Sequence, residues 1–399
     1  MTLPLAGVTV VEFSEHGFVP AAAAALADWG ADVVKIERVE GDAMRGIIAS
    51  GMVATVEGYD YLFELVNRNK RGIALDVEQQ AGRAVFERLV AWADVYITNQ
   101  LPRVRRKLRT EPADLFAINP KLVFAKGSGQ GQRGADAEAG GFDGVSFWAR
   151  GGVSHVLTAA DATTPTPQRP ALGDIPTGAF FAGGICAALV GASRTGKGIV
   201  VDTSLLNGAV WSLGPDMAYA SMAGEQLPMP AGAVRSPVTQ TYRTADARFV
   251  SLMMIDEARY WGQACRALGV DDLIESLPDS AGRRAKWAEL TDRFRGVIGG
   301  LTRDQLEARL RGEGCIYSFF NTPPEVLRDQ AVIDNGYVMA HPVHPNLKLS
   351  AAPAQFDDEM PTIRRPAPTI GQHSREVLTE LGHTDDEIDQ LAHDGVIRT

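Results

Sequence analysis

The first forty residues place two buried strands around one Ala-rich helix, and this pattern constrains the fold more than any other feature. VTVVEF (8–13) and ADVVKIE (31–37) are apolar, β-branched runs, typical of strands covered on both faces of a parallel sheet. Between them, FVPAAAAALADW (18–29) has helical composition and is followed by Gly30, a typical helix C-cap. Together the three segments predict a βαβ unit.

The alternation of strands and helices continues to residue 127 and then gives way to a different pattern. Further helices and strands are predicted near 78–92, 94–99, 112–118 and 121–127. This order predicts an open, mostly parallel α/β sheet with ligands at the carboxyl ends of its strands. Residues 224–238 are rich in Pro and Gly and are typical of a linker. A hairpin around TADA and three helices then predict a smaller α+β domain at 239–334.

Composition and charge exclude several classes of function. The 399-residue chain has a net charge of −10, which argues against a duplex-binding surface and leaves room only for a local phosphate site. Cys186, Cys265 and Cys315 are far apart, which suits a reducing compartment without disulfides. Glu12 and Glu15 precede the first apolar run, unlike a signal peptide, and no run approaches the ~20 residues that span a bilayer. We expect a cytoplasmic protein with no nucleic-acid or membrane partner.

Three basic segments follow strands or open turns. Lys35, Arg38 and Arg45 cluster around the end of the second strand, and NRNKRGIALD (67–76) and RVRRKLR (103–109) add further cations. Arginine at a strand end suits a phosphate-bearing ligand. Glu37, Glu40 and Asp42 are interleaved with the first segment, so a solvated loop with internal ion pairs explains it equally well, and a solvated helix face is the default interpretation of RVRRKLR. The three together favour an anionic ligand with several phosphates.

Two short motifs resemble cofactor sites without the expected context. GQGQRG (129–134) satisfies GxGxxG, but it follows the fourth strand and precedes ADAEAGG, a poor start for a helix. We expect a loop there and no NAD. HPVH (341–344) has only loose metal-ligand spacing, so we interpret it as loop structure and expect no metal.

An acidic residue, Asp174, stands at the start of the apolar segment DIPTGAFFAGGICAALVGAS. It could cap a helix, lie in a solvated loop, or act as a nucleophile. Because Pro176 prefers the first helical position, Ile175 would be the cap and Asp174 would lie one residue outside the helix. The helix dipole should then favour the ionised carboxylate. These residues alone leave all three interpretations open.

Six motifs in order make the chain resemble the family III CoA-transferases over nearly its whole length. They are PLAGVTVVEFSEHGFVP, LADWGADVVKIERVEGDAMRG, NRNKRGIALD, PALGDIPTG, TGKGIVVDTSLLNG and IGQHSREVLTELG. The resemblance implies a Rossmann-like large domain built from residues 1–223 and 335–399, and an interlocked homodimer. It also implies coenzyme A, carried as an acyl-CoA substrate, and a carboxylic acid acceptor.

The resemblance also implies roles for particular residues. Asp174 matches the family's nucleophile, which forms an acyl-aspartyl anhydride and then an aspartyl-CoA thioester. The implied CoA contacts are His16, Gly17, Arg38, Leu75, Asn99, Lys107 and Lys126.

One departure from the family pattern bears on the reaction. The segment GFD (141–143) has Phe142 where the racemase branch of the family carries a histidine, and this disfavours racemisation. We expect Phe142 to form a wall of a substrate pocket that includes Asp143 and Asp256. A Gly-rich lid loop is not evident, which leaves thioester hydrolysis as an alternative. A CoA-binding module without catalysis is the alternative from another class.

Overall fold

The computed structural model describes residues 3–54, 56, 59–228 and 235–399. The chain divides into two compact units, Met1–Gln226 with Ala331–Thr399, and Leu227–Gln330. The predicted linker 224–238 falls partly on residues 229–234, outside the described residues.

The N-terminal part of the first unit alternates strands with helices. Its strands are β1 (Thr9–Phe13), β2 (Asp32–Glu37), β3 (Arg71–Leu75), β4 (Val95–Thr98), β5 (Val123–Ser128) and β6 (Ile199–Ser204). Its helices are α1 (Phe18–Asp28), α2 (Tyr61–Asn67), α3 (Gln80–Trp92), α4 (Pro102–Leu108), α5 (Pro112–Ile118), α6 (Val153–Leu157), α7 (Asp174–Thr195), α8 (Leu205–Ser212) and α9 (Gly214–Ala223). A 3₁₀ turn at Ala43–Gly46 and a π-helical turn at Gly144–Arg150 complete it.

The second unit is a small antiparallel sheet with helices. Its strands are β7 (Thr241–Arg243), β8 (Phe249–Leu252) and β9 (Tyr317–Phe319). Its helices are α10 (Glu257–Leu268), α11 (Asp272–Ser276), α12 (Ser280–Ala285), α13 (Trp287–Gly299), α14 (Arg303–Gly312) and α15 (Pro323–Val326), with a 3₁₀ turn at Pro237–Thr239. The predicted hairpin forms with Tyr242 opposite Val250, and Trp261 stacks on Phe294 in the core with ring centroids 5.9 Å apart.

The C-terminal part returns the chain to the large sheet. It contains α16 (Gln330–Asp334), β10 (Val338–Ala340), β11 (Lys348–Ser350), α17 (Ser374–Glu380), α18 (Asp385–His393) and β12 (Ile397–Arg398). Strand β12 pairs antiparallel with β3, with Ile397 opposite Leu75. The end of the chain thus covers the edge strand of the first unit.

Within the described residues, the large sheet has seven strands in the order β12-β3-β2-β1-β4-β5-β6. All of its neighbouring pairs except β12–β3 are parallel, so the predicted parallel-dominated α/β sheet is confirmed. The chain leaves β1 towards β2 and β3 and then returns to the other side of β1 with β4. Ligands of open α/β sheets bind at such a switch point, beyond the carboxyl ends of the strands.

Small residues let α1 and α7 approach each other closely on one face of this sheet. A Cβ added to Gly178 would lie 2.9 Å from the Ala21 Cβ and 2.9 Å from the Phe18 carbonyl oxygen. The rings of Phe18 and Phe181 pack one turn away with centroids 6.0 Å apart. Glycine at 178 therefore serves backbone contact, and this contact brings the first residues of both helices together.

Helix α7 corrects one expectation from the sequence. It has 22 residues and, among the described helices, is the one long and apolar enough to cross a membrane by length and composition, so the statement that no apolar run approaches this length was wrong. Its buried residues include Phe181, Ala182 and Ile185, which join the core under the sheet. A single such helix is weak evidence for a membrane span, because core helices have the same composition.

Candidate active site

A cavity of about 770 Å³ opens at the carboxyl ends of the parallel strands. Most of its lining comes from residues at or just after strand ends: Ser14–Gly17, Arg38–Glu40, Leu75–Glu78, Asn99–Leu101, Ser128 and Gly129. Phe142, Asp174 and Leu205 also line it. The cavity thus lies at the switch point of the sheet, and GQGQRG contributes only its first glycine to the lining.

Asp174 and Gly17 meet where α7 and α1 begin. Gly17 is the N-cap of α1, and Asp174 is the first residue of α7. A Cβ built on Gly17 would lie 2.5 Å from the Asp174 Oδ2 atom, so only glycine leaves room for the carboxylate. The prediction that Ile175 caps the helix was wrong. Gly173 is the cap, and Pro176 is accommodated in the first turn, where no backbone N–H is needed.

The Asp174 carboxylate is held in an environment that disfavours its charge. Burial, and secondly the nearby Asp143 carboxylate, raise the pKa of Asp174 to about 7. Within the described parts of the chain, no hydrogen-bond donor contacts this carboxylate. The sequence-based expectation of a dipole-stabilised ionised form is therefore corrected. The Gly173 N–H donates instead to Asp143, at 3.0 Å to Oδ2 and 3.2 Å to Oδ1.

Four fully buried charges lie beneath the loop that carries Gly17. The Lys35 Nζ lies 2.9 Å from the Asp42 Oδ2 and 3.2 Å from the Glu12 Oε1. The Lys70 Nζ lies 2.6 Å from the Glu12 Oε2. Glu12 and Asp42 raise the pKa of Lys35 although burial alone would lower it. Two cations and two anions thus form a neutral cluster in the interior.

This charge cluster, Glu12–Lys35–Asp42–Lys70, contacts the site loop directly. The Lys35 Nζ donates to the Ser14 carbonyl oxygen at 2.8 Å, and the His16 N–H donates to the Asp42 Oδ1 at 3.2 Å. His16 has a φ of +67°, a left-handed conformation that such contacts must hold in place. The cluster therefore fixes the backbone that presents Gly17 to Asp174.

Asn99 braces the same loop from β4. Its Nδ2 donates to the Glu15 carbonyl oxygen at 2.6 Å, and its Oδ1 accepts the Glu15 N–H at 3.1 Å. Asn99 thus lines the cavity, while the oxygen and nitrogen atoms of its side-chain amide both hydrogen-bond to the backbone of Glu15.

Several predicted cations are engaged elsewhere. Lys35 and Lys70 are in the charge cluster, Arg45 pairs with Glu37 at 2.6 Å, and Arg71 contacts Asp32 at 2.6 Å. Lys35 and Arg45 therefore do not join Arg38 in the predicted group of cations for a phosphate-bearing ligand. Arg38 and Lys107 line the cavity, and both are largely exposed in pairs with Glu15 and Glu78.

Of the seven predicted CoA contacts, six line the cavity: His16, Gly17, Arg38, Leu75, Asn99 and Lys107. Lys126 is absent from this lining and lies within β5, opposite Asp202 of β6. Phe142 lines the cavity with 62% of its surface exposed. Its ring meets the His16 ring edge-on at 5.1 Å. Asp143 lies outside the lining, and Asp256 caps α10 in the second unit, where it accepts the Arg259 N–H at 3.3 Å.

Sequence reasoning missed the charge cluster and the contact between Asp143 and Gly173. One signal for the cluster was present. VTVVEF and ADVVKIE each carry a charge inside an apolar run, and Glu12 and Lys35 are directly opposed in the β1–β2 register. Opposite charges on adjacent buried strands pair with each other rather than with a ligand. No comparable signal links Asp143 to a residue 30 positions away.

Gly17→Ala should impair the reaction at Asp174. The methyl group would collide with the carboxylate and displace it, and we expect about a 100-fold loss of turnover. Gly183→Ala is the matched control, because a Cβ on this α7 glycine meets nothing within 4 Å. Steady-state kinetics of both variants would test this, and equal activity would contradict the contact.

Comparisons with known proteins give a family match over most of the chain. The model of the family described as CoA-transferase family III matches residues 5–374. The chain is 28% identical to (R)-2-hydroxy-4-methylpentanoate CoA-transferase of Clostridioides difficile, over 99% of each chain. It is 31% identical to cinnamoyl-CoA:phenyllactate CoA-transferase of Clostridium sporogenes, over 97% of this chain and 96% of that protein.

A solved structure and a second group of relatives add to these matches. A CAIB/BAIF family protein from Brucella suis superposes with a TM-score of 0.78 at 28% identity, covering 96% of this chain and 100% of that one. Alpha-methylacyl-CoA racemases of Mus musculus and Homo sapiens also match. Residues 5–374, which the family model matches, include every residue that lines the cavity.

Proposed function

This chain belongs to the CoA-transferase family III, and we propose that it moves CoA from an acyl-CoA thioester to a free carboxylic acid through covalent intermediates on Asp174. The observation that carries the proposal is the position of Asp174, whose carboxylate lines the cavity without a hydrogen-bond donor among the described residues. A desolvated carboxylate at a fixed position is suited to nucleophilic catalysis.

The reaction proceeds through two kinds of intermediate. An Asp174 carboxylate oxygen attacks the carbonyl carbon of the thioester, and the C–S bond breaks. CoA is released as a thiolate, and an acyl-aspartyl anhydride remains on the enzyme. The thiolate then attacks the Asp174 carbonyl carbon, releasing the donor acid and leaving an aspartyl-CoA thioester. The acceptor carboxylate attacks the Asp174 carbonyl carbon of this thioester, the C–S bond breaks, and a second anhydride joins the acceptor to Asp174. The released thiolate then attacks the acceptor's acyl carbon and breaks its bond to the Asp174 oxygen. This forms the new acyl-CoA and restores the Asp174 carboxylate without using water.

Each step passes through a tetrahedral oxyanion, and the start of α1 is suited to stabilising it. The first N–H groups of a helix have no intrahelical acceptor, and the helix dipole favours negative charge there. Gly17, the N-cap, lies against the Asp174 carboxylate. We therefore assign the first turn of α1 as the oxyanion-binding element.

Arg38 and Lys107 are the cations we propose for the CoA phosphates. Both are more than half exposed in surface pairs, at 3.0 Å to Glu15 and 2.6 Å to Glu78. Exposed ion pairs of this kind stabilise a protein by only ~0–1 kcal/mol. A phosphate group can therefore replace the carboxylate at little cost in free energy. His16, Leu75 and Asn99 complete the proposed CoA-binding lining, whereas the position of Lys126 gives no support to its role.

Arg38→Ala and Lys107→Ala should each raise the KM for acyl-CoA by about 10-fold and change kcat by less than about 2-fold. The reason is that each removes a charge-assisted contact remote from the reacting carbonyl. Lys121→Ala, on an exposed lysine outside the cavity, is the control. An unchanged KM in both variants would place CoA elsewhere.

The acyl group that fits this cavity best is apolar. Phe142 presents an exposed ring beside His16, and Leu205 lies on the same lining. The relatives named for 4-methylpentanoate and phenyllactate derivatives act on branched and aromatic acids, which agrees with an apolar wall. Phe142 has no group that can exchange an α-proton, which disfavours the racemase reaction despite the racemase relatives.

A homodimer and a cytoplasmic location complete the proposal. Trp211 is 73% exposed and Met222 89% exposed, and α9 buries no residue within the chain. An apolar surface of this kind is typical of an interface with a second copy, which light scattering would test. Cys186, Cys265 and Cys315 are all unpaired, as a reducing compartment favours.

A matrix of acyl-CoA donors and carboxylic acid acceptors tests the function. We expect product acyl-CoA only when both substrates are present, with apolar monocarboxylates as the better acceptors. CoA release without an acceptor would instead indicate a hydrolase. Exchange of the α-proton in deuterated water would indicate a racemase.

A further inference from the structure

A second buried carboxylate, Asp143, lies at the start of α7 beside Asp174. It accepts the Gly173 N–H with both oxygens, at 3.0 Å and 3.2 Å, and the Asp174 N–H also counters the rise that burial causes in its pKa. These are among the first donors of the helix, which have no intrahelical acceptor. A residue 30 positions upstream thus occupies the anion-binding end of α7.

The fit around this contact is tight enough to require glycine at 173. A Cβ on Gly173 would collide with both the Asp143 Oδ1 and the Phe147 ring. The φ of Gly173 is −93°, so glycine is needed there for space and not for a left-handed conformation. Asp143 directly precedes the π-helical turn Gly144–Arg150, which carries Phe147. The turn and the glycine together hold the carboxylate against the helix.

We infer that Asp143 is a positioning residue for CoA transfer, because its carboxylate takes the first N–H donors of α7 and withholds them from the Asp174 carboxylate. The inference rests on the proposed function of Asp174. Without Asp143, those N–H groups would be free to bind the nucleophile itself and to lower its reactivity.

The chemistry of the first step explains why this matters. A carboxylate of ordinary pKa near 4 is much less basic than a thiolate of pKa about 8.5, so expulsion of thiolate by carboxylate is uphill. Burial and the negative charge of Asp143 raise the pKa of Asp174 to about 7. The difference in basicity between the attacking carboxylate and the departing thiolate is therefore smaller. Among the described residues, Asp143 is the charged group that acts on the pKa of Asp174, and His16 is a titratable residue on the same cavity lining. The first turns of α1 and α8 carry no charge.

Asp143→Ala and Asp143→Asn test the inference. Alanine removes the acceptor and frees the Gly173 N–H for the Asp174 carboxylate, whereas asparagine keeps an acceptor for this N–H and removes the charge. The rate of transfer would be measured from pH 5 to 9, with melting temperatures for each protein. If the pKa of Asp174, about 7, sets the acidic midpoint of the rate, we expect this midpoint to move to lower pH by about one unit, because the burial of Asp174 remains in both variants. The rate above pH 8 should fall roughly 3- to 10-fold with little change in the KM for acyl-CoA.

Asp161→Asn, which removes an exposed charge, is the control, and Asp174→Asn is measured in parallel. Unshifted midpoints in both Asp143 variants would overturn the inference and leave the proposed function intact if Asp174→Asn is inactive. Full activity of Asp174→Asn would instead overturn the proposed function. Loss of the fold in both Asp143 variants would also contradict the inference, because Asp143 would then serve the fold alone.

Discussion

Asp174→Asn should lower the rate of CoA transfer by about 10⁴-fold or more, because the amide cannot form the anhydride or the thioester. Asparagine has nearly the same volume as aspartate, so the contact with Gly17 and the start of α7 should persist. Binding of acyl-CoA should survive, since the proposed phosphate contacts lie elsewhere in the cavity. Transfer assays and a direct binding measurement would separate the two effects, and a loss of less than about 10-fold would contradict the nucleophile.

The same variant should be more stable than the parent at pH 8. The pKa of Asp174 is raised to about 7 in the folded state, whereas an unfolded aspartate titrates near 4. The parent therefore loses stability as the pH rises from about 4 to about 7, because the unfolded aspartate ionises in this range while the buried carboxyl group still holds its proton. The neutral asparagine avoids this loss. Thermal melts should show a stabilising difference at pH 8 that shrinks at pH 5, and a less stable variant at pH 8 would show that asparagine disturbs the fold.

Lys35→Met should destabilise the fold by about 3–5 kcal/mol, which is the largest effect on stability that we expect from a single substitution. The substitution leaves Glu12 and Asp42 with one remaining cation, Lys70, in a cluster with no solvent exposure. It also removes the donor that holds the Ser14 carbonyl oxygen at 2.8 Å. The loop that carries His16 and Gly17 should therefore loosen, and turnover should fall more than the KM rises.

Lys107→Met is the stability control for this change. Its pair with Glu78 at 2.6 Å is as short as those in the cluster, but both side chains are more than half exposed. We expect a cost below about 1 kcal/mol. Chemical denaturation of both variants gives the comparison, and equal costs would contradict the structural role of the charge cluster.

The patterning of buried strands made the large sheet predictable. VTVVEF and ADVVKIE could only be covered on both faces, and the alternation that followed left few topologies. The position of the cavity followed, since chemically active residues after strand ends meet at one edge. The first residue of α7 was harder to predict. A proline at the third helical position is as acceptable as one at the first, so Pro176 did not fix where the helix begins.

Long-range electrostatics accounts for most of what the sequence could not predict. Lys35 resembles a phosphate ligand in the sequence, and only the β1–β2 register shows that Glu12 neutralises it. The helix dipole at Asp174 was a sound local expectation, yet a carboxylate 30 residues away takes the donors through which it would act. The contact between Asp143 and Gly173 depends on three-dimensional packing and leaves no local pattern in the sequence.

The most direct test of the central claim is mass spectrometry of the enzyme after incubation with an acyl-CoA and hydroxylamine. An anhydride or thioester on Asp174 would react to a hydroxamate, and we predict this mass change on the peptide containing Asp174. The change should require acyl-CoA and should be absent from Asp174→Asn. An active enzyme that forms new acyl-CoA while the Asp174 peptide stays unmodified would contradict covalent catalysis at this residue.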